Sequence, residues 1–169
     1  MKYAGIIPND FVNGEGVSVT IFVQGCPHHC DGCHNPETWD FEGGIESSQQ
    51  DLIDEVISLI SKNGIIRNLS ISGGEPLCEQ NIDFVYELID QVRFQYYRNI
   101  KICCWTGYEY DELKARKNPV LDMLLYKIDT LITGPFIKEQ RDITLKLRGS
   151  RNQQIWRRDI NNKLVLSNE

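Results

Sequence analysis

An α/β fold built on a mostly parallel sheet is what this sequence predicts, on three observations. Four short runs of β-forming residues are separated by segments with helical apolar spacing. Each run is followed at once by a polar or glycine-rich segment. The chain shows no internal repeat and no Pro/Gly/Ser-rich linker that would divide it. The first run, residues 17–23, alternates at period two, as does the second, residues 68–72. Residues 100–105 and 128–133 are short and rich in β formers. Between the first two runs, Leu52, Ile53, Val56, Ile57, Leu59 and Ile60 recur at helical spacing, with Ser47 or Ser48 as N-cap and Gly64 as the stop. Ile82, Val85, Tyr86, Ile89 and Val92 mark a second helix, and residues 111–116 and 120–126 give a shorter pair around Pro119. In parallel architectures the carboxyl ends of the strands lie together and carry the ligand site. The segments beginning at Gln24, Gly73, Thr106 and Gly134 are therefore expected to converge on one cleft.

At 169 residues the chain is expected to form a single domain, residues 1–169. With 41% hydrophobic and 25% charged residues it has neither the polar bias of disorder nor a collagen-like period. No stretch approaches the roughly 18 uninterrupted apolar residues of a membrane helix, and residues 1–10 lack a secretory apolar segment. A cytoplasmic protein is expected, acting on no membrane. The net charge of −6 excludes a broad electrostatic footprint for nucleic acid, although residues 138–163 carry eight basic side chains against three acids. That basic stretch is either a solvated face or a docking surface for an acidic partner.

Six cysteines in a reducing compartment point to metal or redox chemistry rather than to disulfides. Cys26, Cys30 and Cys33 lie within eight residues, in Cys26-Pro27-His28-His29-Cys30-Asp31-Gly32-Cys33-His34-Asn35. Three soft thiolates on one loop suit either a zinc ion closed by a histidine, drawn from His28, His29 or His34, or an iron–sulfur cluster with one iron open. The zinc option would make the chain a zinc-stabilised interaction module; both options stand on spacing alone. Cys78, Cys103 and Cys104 have no ligand-like spacing and read as small buried hydrophobes. Asp129, an unusual charge in a parallel strand, is expected either at the cleft or at an edge.

The spacing C-x-x-x-C-x-x-C after the first strand, together with Gly73-Gly74-Glu75-Pro76 after the second, resembles the signature of the radical S-adenosylmethionine (SAM) superfamily. More narrowly, Cys33-His34-Asn35-Pro36-Glu37-Thr38-Trp39, Trp105-Thr106-Gly107-Tyr108, Thr133-Gly134-Pro135-Phe136 and Arg148-Gly149-Ser150-Arg151-Asn152-Gln153 are similar to the activating proteins of anaerobic (class III) ribonucleoside-triphosphate reductases. The likeness spans residues 3–153. It implies a partial (β/α) barrel open at one side and an iron-sulfur oxidoreductase. Cys26, Cys30 and Cys33 would ligate three irons of a 4Fe-4S cluster, and SAM would chelate the fourth. Gly73, Gly74, Glu75 and Pro76 would form the SAM-binding segment. Many radical SAM enzymes carry an aromatic residue before the third cysteine; here Gly32 stands there, so Gly32, Cys33 and His34 are expected to supply the nucleoside contacts instead.

The same likeness implies reductive cleavage of SAM to a 5′-deoxyadenosyl radical and formation of a glycyl radical on the large reductase subunit. It further implies an electron donor such as a flavodoxin, and docking near Arg141, Arg148 and Arg151. A pyruvate formate-lyase activase, or a radical enzyme acting on a small molecule, would share the chemistry with a different substrate.

Overall fold

The computed structural model describes residues 1–168. A mixed eight-stranded sheet runs through it, and four helices cover one face. The strands are β1 (Lys2–Asp10), β2 (Ser18–Val23), β3 (Ile45–Glu46), β4 (Asn68–Gly73), β5 (Ile102–Trp105), β6 (Thr130–Thr133), β7 (Gln154–Arg158) and β8 (Leu164–Leu166), in spatial order β3-β1-β2-β4-β5-β6-β7-β8. The helices are α1 (Gln49–Ile60), α2 (Ile82–Tyr96), α3 (Tyr110–Ala115) and α4 (Pro119–Lys127).

The four expected strands are β2, β4, β5 and β6, and they pair in parallel with crossovers through the helices. The expectation of a mostly parallel sheet is corrected at the flanks, where β1, β3, β7 and β8 all pair antiparallel. An antiparallel neighbour needs only a turn, so short end segments can extend the sheet without a helix. Gly5 and Pro8 hide β1 in the sequence. Pro8 is tolerated because it falls where the β1–β2 register shifts, between Ile7 and Asp10, beyond the two residues that pair with β3.

Local signals account for the helices. Ser48 Oγ accepts the Asp51 N–H at 3.1 Å and starts α1. Pro119 occupies the first turn of α4, and Asn118 Oδ1 accepts from Val120 and Leu121. The fully buried faces of α1 and α2, led by Leu52, Ile53, Val56, Leu88 and Ile89, pack on Val19, Ile21, Leu69, Ile71, Ile102 and Leu131 of the sheet. On the opposite face Cys103, Ile132 and Ile155 make a smaller cluster with Trp105 and Leu147. Cys78, Cys103 and Cys104 are buried, as small apolar residues are.

The amino ends of the parallel strands are closed by arginines. Arg67 donates to the carbonyls of Leu59, Lys62 and Ile65. Arg93 donates to those of Tyr97, Ile100 and Lys127, and Arg158 to those of Leu125, Ile128 and Asn162. The carbonyls of Leu59, Tyr97, Leu125, Lys127 and Ile128 among these lie where α1, α2 and α4 end. Asp129 sits here, away from the cleft. It accepts from Arg93 at 2.5 Å, from Arg98 at 3.1 Å and from the Ile102 N–H at 2.7 Å.

Candidate functional site

At the other end of the same strands, the four post-strand segments do converge. A cavity of about 130 Å³ is lined by Cys26, His28, Cys30 and Cys33 after β2, and by Gly73, Gly74 and Glu75 at the end of β4. Trp105, Thr106 and Gly107 at the end of β5 and Gly134 and Phe136 after β6 line it too. A second cavity of about 300 Å³ shares Ser72 and Trp105 with the first and is bordered by His34 and Arg148.

The thiol loop is shaped by side chains at its root. Gln24 is buried, and its amide donates to the carbonyls of Glu37 at 3.0 Å and Asp40 at 2.7 Å. The N–H groups of Gly25 and Cys26 reach the carbonyls of Thr38 and Trp39 at 2.8 and 3.1 Å, so the two ends of the loop run side by side. Within it, the Cys33 N–H donates to the Cys30 carbonyl, and the Asn35 N–H lies 3.4 Å from Cys33 Sγ. Asn81, at the start of α2, does not cap its helix. Its amide donates instead to the carbonyls of Gln24 and Glu75, each at 3.0 Å, tying the root of the thiol loop to the segment after β4.

That segment approaches the loop backbone-to-backbone. Gly73 has φ +103°, and a Cβ on Gly74 would stand 2.2 Å from the Gly25 carbonyl oxygen, so only glycines permit the contact. The Gly74 and Glu75 N–H groups donate to the carbonyls of Val23 and Gly25 at 2.8 Å. Glu75 is 1% exposed, and its carboxylate accepts from Leu77, Thr106, Gly107 and His28.

Cys26 is buried, and burial pushes its thiol up to about 11, with Glu75 adding to the rise against backbone hydrogen bonds. Burial raises the Cys30 thiol as well. Of the imidazoles that a zinc ion would draw on, His28 lines the first cavity with its Nε2 engaged 2.8 Å from Glu75, and the His29 ring is 4.8 Å from that of Trp39. His34 borders the second cavity. Gly32 is exposed and Pro76 buried, and neither lines the first cavity; a Cβ on Gly32 would come 3.3 Å from Lys138 Cδ.

The residues present suit a soft, sulfur-ligated group. Three thiols line one cavity without closing on a single metal ion, since no group of three His, Cys, Asp or Glu among the described residues is placed to hold one, and the buried Trp39 indole N–H has no partner among the described residues. A glycine-lined backbone cradle adjoins the thiols. Sequence reasoning missed the parts played by Gln24 and Asn81. Gln24 carried no motif, and an asparagine before a helix reads as a cap.

Comparison with known proteins points to an iron–sulfur domain. Residues 12–156 match the family model described as a 4Fe-4S single cluster domain. The chain is 37% identical over 160 residues to the anaerobic ribonucleoside-triphosphate reductase-activating protein of Haemophilus influenzae, covering 93% of this chain and 98% of that one. It is 36% identical over 156 residues to the protein of the same name from Escherichia coli K12, covering 92% and 97%. The Enterobacteria phage T4 protein of that name is 38% identical over 157 residues, covering 92% and 94%.

Proposed function

We propose, from the premise that the chain belongs to the family of anaerobic ribonucleoside-triphosphate reductase-activating proteins, that Cys26, Cys30 and Cys33 hold a 4Fe-4S cluster whose fourth iron is left to SAM. The protein is the iron–sulfur activase of that reductase, and the large reductase subunit is its partner. The observation that carries the reading is the single cavity walled by three thiols and by the segments that follow β4, β5 and β6. The chemistry supplied by the bound pair is one electron into the S–C5′ bond, which yields methionine and a 5′-deoxyadenosyl radical that takes a hydrogen atom from a glycine of the reductase.

The chain's own residues bind, orient and exclude water. The three cysteines fix the cluster at the carboxyl end of β2. Gly73 and Gly74 let the backbone come close to the methionyl group, and Pro76 fixes the turn behind them. Gly32, Cys33 and His34 take the nucleoside side, with His34 at the mouth where the second cavity opens. Glu75, saturated inside the protein, orients this segment and leaves the direct contacts to the backbone beside it.

In this reading residues 1–169 are one radical SAM domain, a partial barrel whose open side admits the reductase loop. It works in the cytoplasm with a donor such as a flavodoxin and binds no nucleic acid. No helix among the described residues is long and apolar enough to cross a membrane. The basic stretch is the docking surface: Arg151 is held by Asp142 at 3.0 Å, and Arg148 donates to the Gln153 carbonyl at 3.2 Å beside the second cavity. Neutralising both is expected to weaken activation of the reductase severalfold while SAM cleavage with dithionite persists; equal loss of both activities would reject the docking role.

Anaerobic loading with iron and sulfide tests the main reading. A brown protein that releases 5′-deoxyadenosine from SAM with dithionite, and raises a glycyl-radical doublet on the large reductase subunit, is the expected result. A colourless protein holding one zinc ion would overturn it.

A further inference from the structure

We infer that His28 is a positioning residue, latched through Nε2 to the Glu75 carboxylate so that the stretch from Cys26 to Cys30 is held against the ends of β4 and β5. The inference rests on the reading that these thiols hold a cluster.

Four donors share the Glu75 carboxylate. The Leu77 N–H and the Thr106 hydroxyl reach Oε1 at 2.8 Å each, while the Gly107 N–H and His28 reach Oε2 at 2.7 and 2.8 Å. A carboxylate only accepts, so His28 Nε2 carries the proton and donates it. Three of these donors come from the segments after β4 and β5; the fourth comes from the middle of the thiol loop. The other ties between that loop and the β4 segment, through Asn81, Gly25 and Gln24, fasten its root alone. His28 is thus the tie that reaches the span between two thiols, and a charge-assisted bond in a buried place is a strong one.

The slot is shaped to the ring. A Cβ on Gly107 would stand 2.4 Å from His28 Cδ2, so the missing side chain there is what admits the imidazole. Tyr108 meets the ring edge-on at 4.4 Å, and the Arg116 guanidinium lies 3.6 Å over Tyr108. The next residue, His29, takes φ +48°, in the left-handed region that residues with a side chain adopt uncommonly.

Three variants of the full chain test this. His28→Gln keeps a donor within reach of Glu75, His28→Phe keeps a ring without the donor, and Gly107→Ala puts a methyl where the ring lies. Hydrogen–deuterium exchange of the metal-free chain reads residues 26–33 against α1. After loading with iron and sulfide, the loss of visible absorbance to a chelator reads the hold on iron.

His28→Phe and Gly107→Ala are expected to exchange and to lose iron roughly tenfold faster than the parent, the ratio one charge-assisted hydrogen bond commands. His28→Gln should stay within about twofold, and the α1 amides should be unchanged in all three. The inference is overturned if His28→Phe matches the parent in both readouts, or if His28→Gln is as impaired as His28→Phe. Should His28→Phe not fold, Gly107→Ala against His28→Gln carries the same contrast. If the parent itself takes up no cluster, the cluster reading falls, while the exchange contrast still decides the latch.

Discussion

At the amino ends of the parallel strands, three arginines finish on backbone carbonyls and Asp129 is enclosed by Arg93, Arg98 and the Ile102 N–H. At the carboxyl ends of the same strands, three thiols line a cavity, and the Trp39 indole N–H has no partner among the described residues. The first end holds charges consumed within the protein, which is how a fold closes its helix termini. The second holds thiols that no disulfide consumes, with glycines where backbone must come close. Buried charge by itself therefore does not mark the site; Glu75 and Asp129 are both buried, and it is Glu75 that binds segments lining a cavity.

Breaking the thiol end should have the largest effect on function and little on folding. Cys26→Ser, Cys30→Ser or Cys33→Ser, each loaded anaerobically, is expected to hold iron near background and to release no 5′-deoxyadenosine. Thermal unfolding should shift by only a few degrees, on the order of 1 kcal/mol. The opposite end should behave in reverse. Asp129→Ala strands the Arg93 guanidinium, whose side chain is 8% exposed, and should cost about 3–5 kcal/mol in urea unfolding. Protein that remains folded in the cold should still load its cluster and cleave SAM. Loss of cluster binding at a temperature where the chain is folded would show that the two ends are not separate.

Two smaller changes sharpen the contrast. Gly74→Ala pushes a methyl into the Gly25 carbonyl and is expected to cost about 1–3 kcal/mol of stability, with weaker SAM binding measured by titration of the reduced protein. Ser48→Ala removes the cap of α1 and should cost about 1 kcal/mol with SAM binding unchanged.

Much of this contrast was legible in the sequence, but unevenly. The four parallel strands, the Ser48 cap and the meeting of the post-strand segments follow from period, cap chemistry and topology, all local or rule-bound. The antiparallel flanks were not: Gly5 and Pro8 break the pattern of β1, and Arg157 and Arg158 make β7 look like solvated basic tail, although Arg158 closes α4. Arg93 likewise reads as a surface charge on α2, yet it is 9% exposed. The partnership of His28 with Glu75 spans 47 residues, and nothing local to either residue announces it. What remained hidden depends on side chains meeting across the fold, which spacing does not encode.

The central claim is that three thiols leave one iron of the cluster open at the cavity. Mössbauer spectroscopy of the protein loaded with iron-57, with and without SAM, tests it most directly. The account predicts that SAM shifts the signal of one iron in four and leaves the other three unchanged. A spectrum that SAM does not alter, with all four irons equivalent, would contradict it.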